Sequence, residues 1–338
     1  MKAIFDDRQR QHDPQHFMAN GKTYPSPEAP ERIARLMAGA QAAGCQFQTP
    51  EDAGLGPIAA IHSAEYLSFL QTIYTRWQRI PDAGAEVIPN IHPASRRDNY
   101  PKSALGQAGY HQADTSCPIG ALTWDAAYWS AQSAITGADL VAAGARAVYV
   151  LSRPPGHHAF ADLAGGFCFL NNSAIAAERL RAQGLRPAIL DIDVHHGNGT
   201  QGIFYARDDV LTVSLHADPD RFYPFFWGGT QERGQGRGMG GNLNLPLVRG
   251  TGDADYLAAL NTALARIRAF GADVVVVALG LDAHIDDPFK GLAVTTSGFE
   301  AIAGAISGLG LPLVLVQEGG YVSDALADNL TAFLGGVA

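Results

Sequence analysis

The sequence predicts an α/β protein with a mostly parallel central sheet, helices on both of its faces and long loops at the carboxyl ends of the strands. Two observations lead to this class. Apolar runs typical of doubly buried strands alternate with helical patterns, most regularly in the second half of the chain. Each strong run ends in a polar or glycine-rich segment, and no linker or shift of composition interrupts the order. We therefore expect one domain over residues 1–338.

The elements follow from these patterns. Strands are expected at residues 2–5, 147–151, 187–193, 210–215, 272–279 and 311–317. Helices are expected at residues 28–44, after His62, from an N-cap at Thr123 to about 143, and at residues 172–183, 253–270, 297–309 and 323–333. Residues 6–30 are interpreted as a loop. Residues 79–122 are rich in proline and weakly periodic, which predicts a long loop insertion with a functional or interface role.

Composition excludes several classes of function. The chain is 47% hydrophobic and 17% charged, which is typical of a soluble globular protein. Its net charge of −9 disfavours a partner such as nucleic acid. We see neither a secretory signal nor an apolar run of membrane-spanning length, so we expect a cytoplasmic protein without a membrane partner. Three widely spaced cysteines predict reduced thiols rather than disulfides or a cysteine zinc site.

The chemistry is concentrated after the apolar run at residues 187–190. Asp191, Asp193 and His195 alternate with apolar residues there, and a period of two directs alternate side chains to one face. The glycine-rich stretch 197–199 is interpreted as a turn that ends the strand. Charged groups are expensive to bury unless they are paired or bind metal, so this cluster favours a metal site.

Three other predicted strands also end in unusual residues: His157 with His158, then Asp282, then Tyr321. Singly, each has a simpler explanation in packing or turn formation. If the strands are parallel neighbours, however, all these loops meet at one rim of the sheet. Three nitrogen or oxygen ligands and an open position are the requirement of a catalytic zinc, while iron and manganese remain open alternatives.

That rim has the groups that amide hydrolysis needs. The candidate ligands are Asp193, His195 and Asp282. A bound metal activates water and polarises a carbonyl, but proton transfer and stabilisation of an oxyanion are also required. His157 and His158 are candidates for the first task, and the hydroxyl of Tyr321 is a candidate for the second.

Four motifs, at residues 153–158, 191–199, 280–282 and 318–321, resemble the metal-dependent deacetylases of the histone deacetylase superfamily. Their order and spacing agree across roughly residues 20–335. The overall length and the segment 79–122 resemble the bacterial acetylpolyamine amidohydrolase branch most. The resemblance implies an arginase-like α/β fold with a zinc site, where Fe²⁺, Mn²⁺ or Co²⁺ could replace Zn²⁺.

The resemblance also implies roles for individual residues. Asp193, His195 and Asp282 would bind the metal. His158 would be the general base, held by Asn198, and His157 its electrostatic partner, held by Asp191. Tyr321 would donate to the substrate carbonyl and to the oxyanion. Some family members carry Asp in place of Asn198, and a neutral partner should leave His158 less basic.

Potassium sites and a substrate channel are implied as well. Asp191, Ser214 and Leu215, with Asp193 and His195, match one potassium site, and Phe204, Arg207 and Val210 match a peripheral one. Gly166, Phe167 and Tyr223 match the channel walls, with Phe289 near the entrance. The glutamates of polyamine-specific members correspond to Leu105 and Ser116 here, and Asp114 is the candidate replacement.

From these features we expect a zinc-dependent amidohydrolase that removes the acetyl group of acetylated polyamines or related small acylamines. The alternatives are a protein acetyl-lysine deacetylase, an arginase-like enzyme with two metals, and a catalytically silent acylamine-binding protein. The resemblance further implies a homodimer in which the segment 79–122 helps to close each channel.

Overall fold

The computed structural model describes residues 1–96 and 99–337. Arg97 and Asp98 of the predicted insertion, and Ala338 of the predicted domain, lie outside the described residues. The strands are β1 (Lys2–Ile4), β2 (His16–Ala19), β3 (Lys22–Pro25), β4 (Gln46–Gln48), β5 (Ala147–Val150), β6 (Pro187–Asp191), β7 (Leu211–Ala217), β8 (Asn242–Leu247), β9 (Val274–Leu279) and β10 (Leu313–Gln317). The helices are α1 (Glu31–Ala42), α2 (Gly56–Ala59), α3 (Ala64–Trp77), α4 (Ala104–His111), α5 (Thr123–Ala142), α6 (Asn172–Ala182), α7 (Asn198–Phe204), α8 (Asp253–Phe270), α9 (Thr296–Ser307) and α10 (Leu326–Gly336).

Eight strands form one sheet in the order β4-β1-β5-β10-β9-β6-β7-β8, and each neighbouring pair is parallel. The prediction of a largely parallel α/β fold is confirmed. The strand order differs from the chain order. Each parallel connection crosses over the sheet, and the segment between the strands covers one of its faces.

Alternate residues of β9 show how the two faces are buried. Val275 and Val277 pack into a core with residues of α1, α8, α9 and α10, whereas Val274 and Val276 pack with α3, α5 and α6. All four side chains are fully buried. Burial of a valine of this kind stabilises the fold by roughly 1.5 to 3 kcal/mol, which explains why the run is apolar at every position.

The interpretation of residues 6–30 as a loop is wrong in part. Residues Asp7–Gln11 form a 3₁₀ helix, and β2 and β3 form an antiparallel hairpin outside the main sheet. Its turn is the dipeptide Asn20-Gly21, and both residues have positive φ. Asn-Gly is the dipeptide that tight hairpins favour. The hairpin is largely exposed, so its strands lack the alternating apolar pattern on which the prediction relied.

The insertion at residues 79–122 is not only loop, because α4 lies within it and begins with the hydroxyl of Ser103 accepting from the amide of Gly106. Thr123 is the first residue of α5 rather than its N-cap, and its hydroxyl accepts from the amide of Gly120 instead. The turn expected at residues 197–199 is the start of α7. The short or edge elements β4, β8 and α2 also escaped prediction.

Two further expectations have a structural counterpart. Cys45, Cys117 and Cys168 are free thiols, as predicted. Among the helices of the described ranges, none combines the length and the apolar character needed to cross a bilayer.

Candidate metal centre and active site

The four central strands of the sheet bring the candidate residues to one rim. In the order β5, β10, β9 and β6, they are direct neighbours in the sheet. The loops after them carry, respectively, the histidine pair, Tyr321, Asp282, and the pair formed by Asp193 and His195. Parallel strands end at the same edge, so the residues converge although they are far apart in sequence.

Asp193, His195 and Asp282 form a compact set of buried ligand atoms. The Nδ1 atom of His195 lies 3.1 Å from Oδ1 of Asp193 and 3.2 Å from Oδ2 of Asp282. One donor atom from each residue lies within 4.8 Å of the others. Two ligands about 2.0 to 2.1 Å from a tetrahedral zinc are themselves about 3.3 Å apart, so the donor set fits such an ion.

The charges around this set also fit a divalent cation. Burial and the nearby Asp193 carboxylate raise the pKa of Asp282 to about 6. Burial and the charge of Asp282 raise the pKa of Asp287 to about 7. Although burial opposes it, contact with Asp193 and Asp282 raises the pKa of His195 to about 9. In each of the three shifts a neighbouring carboxylate contributes, and a bound cation would offset that negative charge.

Backbone amides orient the two ligand carboxylates. The amide of Gly319 donates to Oδ2 of Asp193 at 2.7 Å, and the amide of Val194 donates to Oδ1 of Asp282 at 3.0 Å. A Cβ at Gly319 would collide with both carboxylates. The glycine that precedes Gly320-Tyr321 is therefore required by the close approach of the β10 loop to the candidate ligands.

A second group of potential ligands, His157, Cys168 and Glu318, also has atoms within 4.8 Å of one another. The potential ligand atoms of Glu318 and Cys168 already form hydrogen bonds within the protein. The Glu318 carboxylate accepts from the amides of Gly156 and His157, and the thiol of Cys168 donates to the carbonyl of Gly166 at 3.3 Å. This group therefore fits a metal less well than the first.

The two adjacent histidines have different partners. Their ring centres lie 4.0 Å apart. The Nδ1 of His157 is 2.9 Å from Oδ2 of Asp191, and the Nδ1 of His158 is 2.7 Å from Oδ1 of Asn198. Burial opposes charge on both rings. The Asp193 and Asp191 carboxylates nevertheless raise the pKa of His157 to about 10, whereas burial and the cationic neighbours His157 and His195 hold the pKa of His158 well below its usual value.

Glu318 has a structural role that the sequence analysis did not assign. Its Oε2 accepts from the amides of Gly156 and His157 at 2.6 and 3.0 Å, and its Oε1 accepts from the hydroxyl of Ser173 at 2.8 Å. The carboxylate therefore joins the Tyr321 loop to the histidine loop. Its buried position raises its pKa to about 7. The sequence does carry a signal for this role. An acidic residue directly after a buried strand is costly to bury unless it is hydrogen-bonded or paired, which indicates specific partners.

Arg32 is a second residue that the sequence analysis missed. It is fully buried, its Nε donates to the carbonyl of Gly320 at 2.7 Å, and its Nη2 donates to the carbonyl of Glu318 at 2.6 Å. Its Nη1 is paired with Glu28, which also pairs with Arg153. The helical pattern of residues 28–44 gives no indication that this arginine reaches the loop of Tyr321.

A cavity of about 350 Å³ opens beside the candidate ligands. Its buried end includes His158, His195 and Tyr321. The predicted channel residues Gly166, Phe167, Tyr223 and Phe289 all line it. The β2-β3 hairpin also lines the cavity, through Phe17, Met18, Ala19 and Asn20, as do Arg221, Phe222 and Phe225, and none of these was among the predicted channel residues. Ser116, which corresponds to a glutamate of polyamine-specific members, lines it as well.

Asp114 lies behind the cavity wall rather than among its lining residues. Its Oδ2 accepts from the hydroxyl of Tyr223 at 2.7 Å and from the amide of Gly166 at 3.1 Å, and its Oδ1 accepts from the amide of Ser116 at 2.8 Å. The expectation that Asp114 replaces the missing glutamates as a channel residue is therefore not supported by its position. It ties the insertion to two channel walls instead.

Apart from the candidate metal ligands, the residues matched to potassium sites belong to β6, α7, β7 and the segment between α7 and β7. Asp191 on β6 is the direct neighbour of Ser214 on β7, which Leu215 follows. Phe204 ends α7, and Val210 precedes β7. The amide of Arg207 donates to the carbonyl of Phe204, and its guanidinium pairs with Glu178 and Asp209.

Comparison with known proteins agrees with this architecture. The histone deacetylase domain matches residues 26–337. The chain is 48% identical to an acetylpolyamine amidohydrolase of Burkholderia pseudomallei, over 99% of this chain and 98% of that protein. It is 41% identical to an acetylpolyamine amidohydrolase of Mycoplana ramosa over the whole of both chains.

A solved structure gives the same result in three dimensions. The crystal structure of acetylpolyamine aminohydrolase from Burkholderia pseudomallei superimposes with a TM-score of 0.97, at 48% identity, and covers 99% of this chain and 98% of that one. The match extends over nearly the whole chain and includes all four strand-end motifs. The chain therefore belongs to the histone deacetylase family.

Proposed function

We propose that this chain is a metal-dependent amidohydrolase that removes the acetyl group from small N-acetylated amines, the class that includes acetylpolyamines. In this reaction water adds to the amide carbon and the carbon–nitrogen bond breaks, giving acetate and a free amine. The names of the full-length relatives support this reaction.

The single observation that carries the proposal is the composition of the cavity's buried end. A metal-compatible triad of Asp193, His195 and Asp282 adjoins it, and His158 and Tyr321 line the same space. Amide hydrolysis needs electrophilic assistance, a base and an oxyanion donor together, and a binding protein needs none of these.

We propose Zn²⁺ as the ion, held by the triad, because mixed nitrogen and oxygen ligation with this spacing suits it. When bound there, the ion would polarise the acetyl carbonyl and increase the acidity of the attacking water. Fe²⁺, Mn²⁺ and Co²⁺ accept the same donors, so the ion used by the native protein must be measured.

His158 is proposed as the base. Its Nδ1 is engaged by the neutral amide of Asn198, which leaves Nε2 free to take a proton from the water. His157 is instead paired with the Asp191 carboxylate, which favours its cationic form and makes it an electrostatic partner rather than the base. After addition, the proton on His158 can pass to the departing amine.

Tyr321 is proposed as the oxyanion donor. Burial raises the pKa of its phenol well above the usual value, so the hydroxyl stays protonated. Its ring packs against Phe289 and Phe167, with centre distances of 4.7 and 5.8 Å. A fixed, protonated donor facing the carbonyl would stabilise negative charge on that oxygen as the water adds.

A substrate panel tests the proposal. Zinc-loaded protein is assayed with N-acetylputrescine, N-acetylcadaverine, acetylated spermidine and an acetyl-lysine peptide, with acetate release as the measurement. We expect turnover of the small amides. Much faster turnover of the peptide would favour a protein lysine deacetylase, and tight binding of the small amides without acetate release would favour a silent binding protein.

We also propose potassium at the site formed around Asp191, Ser214 and Leu215, and at a peripheral site near Phe204, Arg207 and Val210. The buried and directly adjacent positions of Asp191 on β6 and Ser214 on β7 support the first. Exchange of potassium for a large organic cation should lower the midpoint of thermal unfolding, and an unchanged midpoint would contradict both sites.

A homodimer formed through residues 79–122 is our proposal for the assembly. The exposed apolar side chains of Ile91 and Leu105 in this segment support it. Sedimentation of the protein and of a double Ile91→Lys, Leu105→Lys variant tests it. A monomeric parent would contradict the dimer, and a variant that remains dimeric would contradict the interface through residues 79–122.

A further inference from the structure

An exposed arginine side chain, Arg221, borders the active-site cavity and has no role in the proposed chemistry. Arg221 lines the cavity together with His158, His195 and Tyr321, and it is exposed. Its backbone amide donates to the carbonyl of Asp218. None of the ion pairs among residues 1–96 and 99–337 includes its guanidinium.

No acid balances Arg221 on the cavity wall. Within the described part of the chain, the lining contains neither aspartate nor glutamate. Of the described residues of the insertion, Ser116 lines the cavity. The nearby Asp114 is occupied, because both of its oxygens accept hydrogen bonds from the wall itself.

The other side of Arg221 borders a separate surface cavity that is lined by Asp218, Asp220 and Arg249. Among the ion pairs of the described residues, neither Asp218 nor Asp220 is paired with Arg221. Arg249 donates to the carbonyl of Lys290. The guanidinium is therefore not used to hold its own loop by an ion pair, and it remains available to a ligand in the main cavity.

The position has a direct consequence for the far end of a substrate. An acetamide bound near His158 and Tyr321 would extend its chain past walls formed by Phe17, Phe222 and Phe225, and its far end would lie in the space that Arg221 also lines. A terminal ammonium there meets a like charge, whereas a terminal carboxylate can accept two parallel hydrogen bonds from the planar guanidinium. Apolar walls weaken the screening by water, which increases the difference in binding free energy between a terminal carboxylate and a terminal ammonium.

We propose that Arg221 is a specificity-determining residue that favours N-acetylated ω-amino carboxylates over acetylated diamines of equal length. This inference rests on the proposed function, because it requires the acetyl end of the substrate at the metal centre. It goes further by naming the charge that the opposite end should carry.

The test compares 5-acetamidopentanoate, N-acetylcadaverine and the neutral N-pentylacetamide on the zinc-loaded protein, with kcat and KM measured separately. We expect the carboxylate to have the highest kcat/KM and the diamine the lowest, with the difference mainly in KM. For a partly exposed charge, each step should be roughly two- to fivefold and should shrink at high salt.

Charge variants separate electrostatics from shape. Arg221→Glu should reverse the order of kcat/KM for the two charged substrates. Arg221→Gln should make the two values nearly equal, and Arg221→Lys should keep most of the preference. Arg237→Glu is the matched control, because it makes the same charge change at a side chain that is 81% exposed. It should leave the order unchanged.

The outcomes are distinguishable. If wild-type protein prefers acetylcadaverine, or if Arg221→Glu changes all three substrates equally, the specificity role is overturned and the amidohydrolase proposal stands. If no acetamide in the panel releases acetate with any of the four candidate metals, the proposed function fails, and the specificity role fails with it.

Discussion

The guanidinium of Arg32 lies 4.9 Å from the centre of the Tyr321 ring and donates to the carbonyls of Glu318 and Gly320, on either side of Gly319. One buried cation from α1 thus supports the loop that carries the proposed oxyanion donor and contacts the candidate ligand Asp193. The active-site rim therefore depends on a helix whose sequence pattern indicates packing alone.

Replacement of Arg32 by leucine should reduce both stability and activity. The change removes a partner of the fully buried Glu28 and leaves two loop carbonyls without their donor. We expect the free energy of unfolding in urea to fall by about 3 kcal/mol, and kcat to fall as Tyr321 loses its support. Arg35→Leu, on the same helix with an exposed partner, is the control and should lose less than about 1 kcal/mol. Equal losses in the two variants would contradict the role given to Arg32.

Tyr321→Phe should lower kcat by about a hundredfold to a thousandfold and leave the fold intact, because one oxyanion donor is lost while the ring remains. The measurements are steady-state acetate release and circular dichroism. Tyr128→Phe is the control. It also removes a tyrosine hydroxyl, but this hydroxyl donates to Asp52 outside the cavity, so the variant should retain full activity. A fully active Tyr321→Phe enzyme would remove Tyr321 from the mechanism.

Asn198→Asp should move the acidic limb of the pH profile of kcat/KM to higher pH. A carboxylate beside Nδ1 stabilises the imidazolium, so the pKa of His158 rises from its depressed value. A base must be unprotonated to act, so activity should require a pH about 1 to 2 units higher. Gln41→Glu, on the exposed side of α1, makes the same change in net charge and should not move the limb. An unmoved limb in Asn198→Asp would show that another group is the base.

Removal of divalent ions should lower stability as well as activity. The carboxylates of Asp193 and Asp282 are buried together, and the cation that offsets their repulsion also stabilises the folded chain. Dialysis against a chelator should lower the midpoint of thermal unfolding, and added zinc should restore it. Metal analysis should find close to no ion in Asp282→Asn and an unchanged content in the exposed control Asp220→Asn. Two ions bound per wild-type chain at this centre would favour the two-metal alternative.

Stability should decline in acid partly through His62, which lies away from the metal centre. Its Nε2 accepts from the amide of Asn171, and burial lowers its pKa to about 4 from 6.5. Below pH 6.5 this histidine binds a proton in the unfolded chain but stays neutral in the folded chain. The free energy of unfolding should therefore fall by about 3 kcal/mol between pH 6.5 and pH 4 because of this group. Because glutamine does not titrate, His62→Gln should have a shallower dependence on pH in this window. The control His92→Gln, at an exposed site, should keep the slope of the wild type.

Much of the architecture could be predicted because local pattern and tertiary burial agree. The runs that became β6, β9 and β10 are apolar at nearly every position, as strands covered on both faces must be. The β2-β3 hairpin escaped because neither of its strands packs into the core, although Asn20-Gly21 carries its turn signal. The helix α4 was missed because it is short and lies among prolines.

By itself, the sequence determined which strands would be buried, that each would end in polar residues, and which ligand types would follow, since these depend on side-chain chemistry at close spacing. Only the tertiary structure decided the order β5-β10-β9-β6, which makes neighbours of His158, Tyr321, Asp282 and His195. It also decided that Arg32 supports the Tyr321 loop, that Asp114 bonds to the cavity wall from behind, and that Arg221 borders the cavity. These relationships join residues far apart along the chain, and no local pattern encodes a contact of that kind.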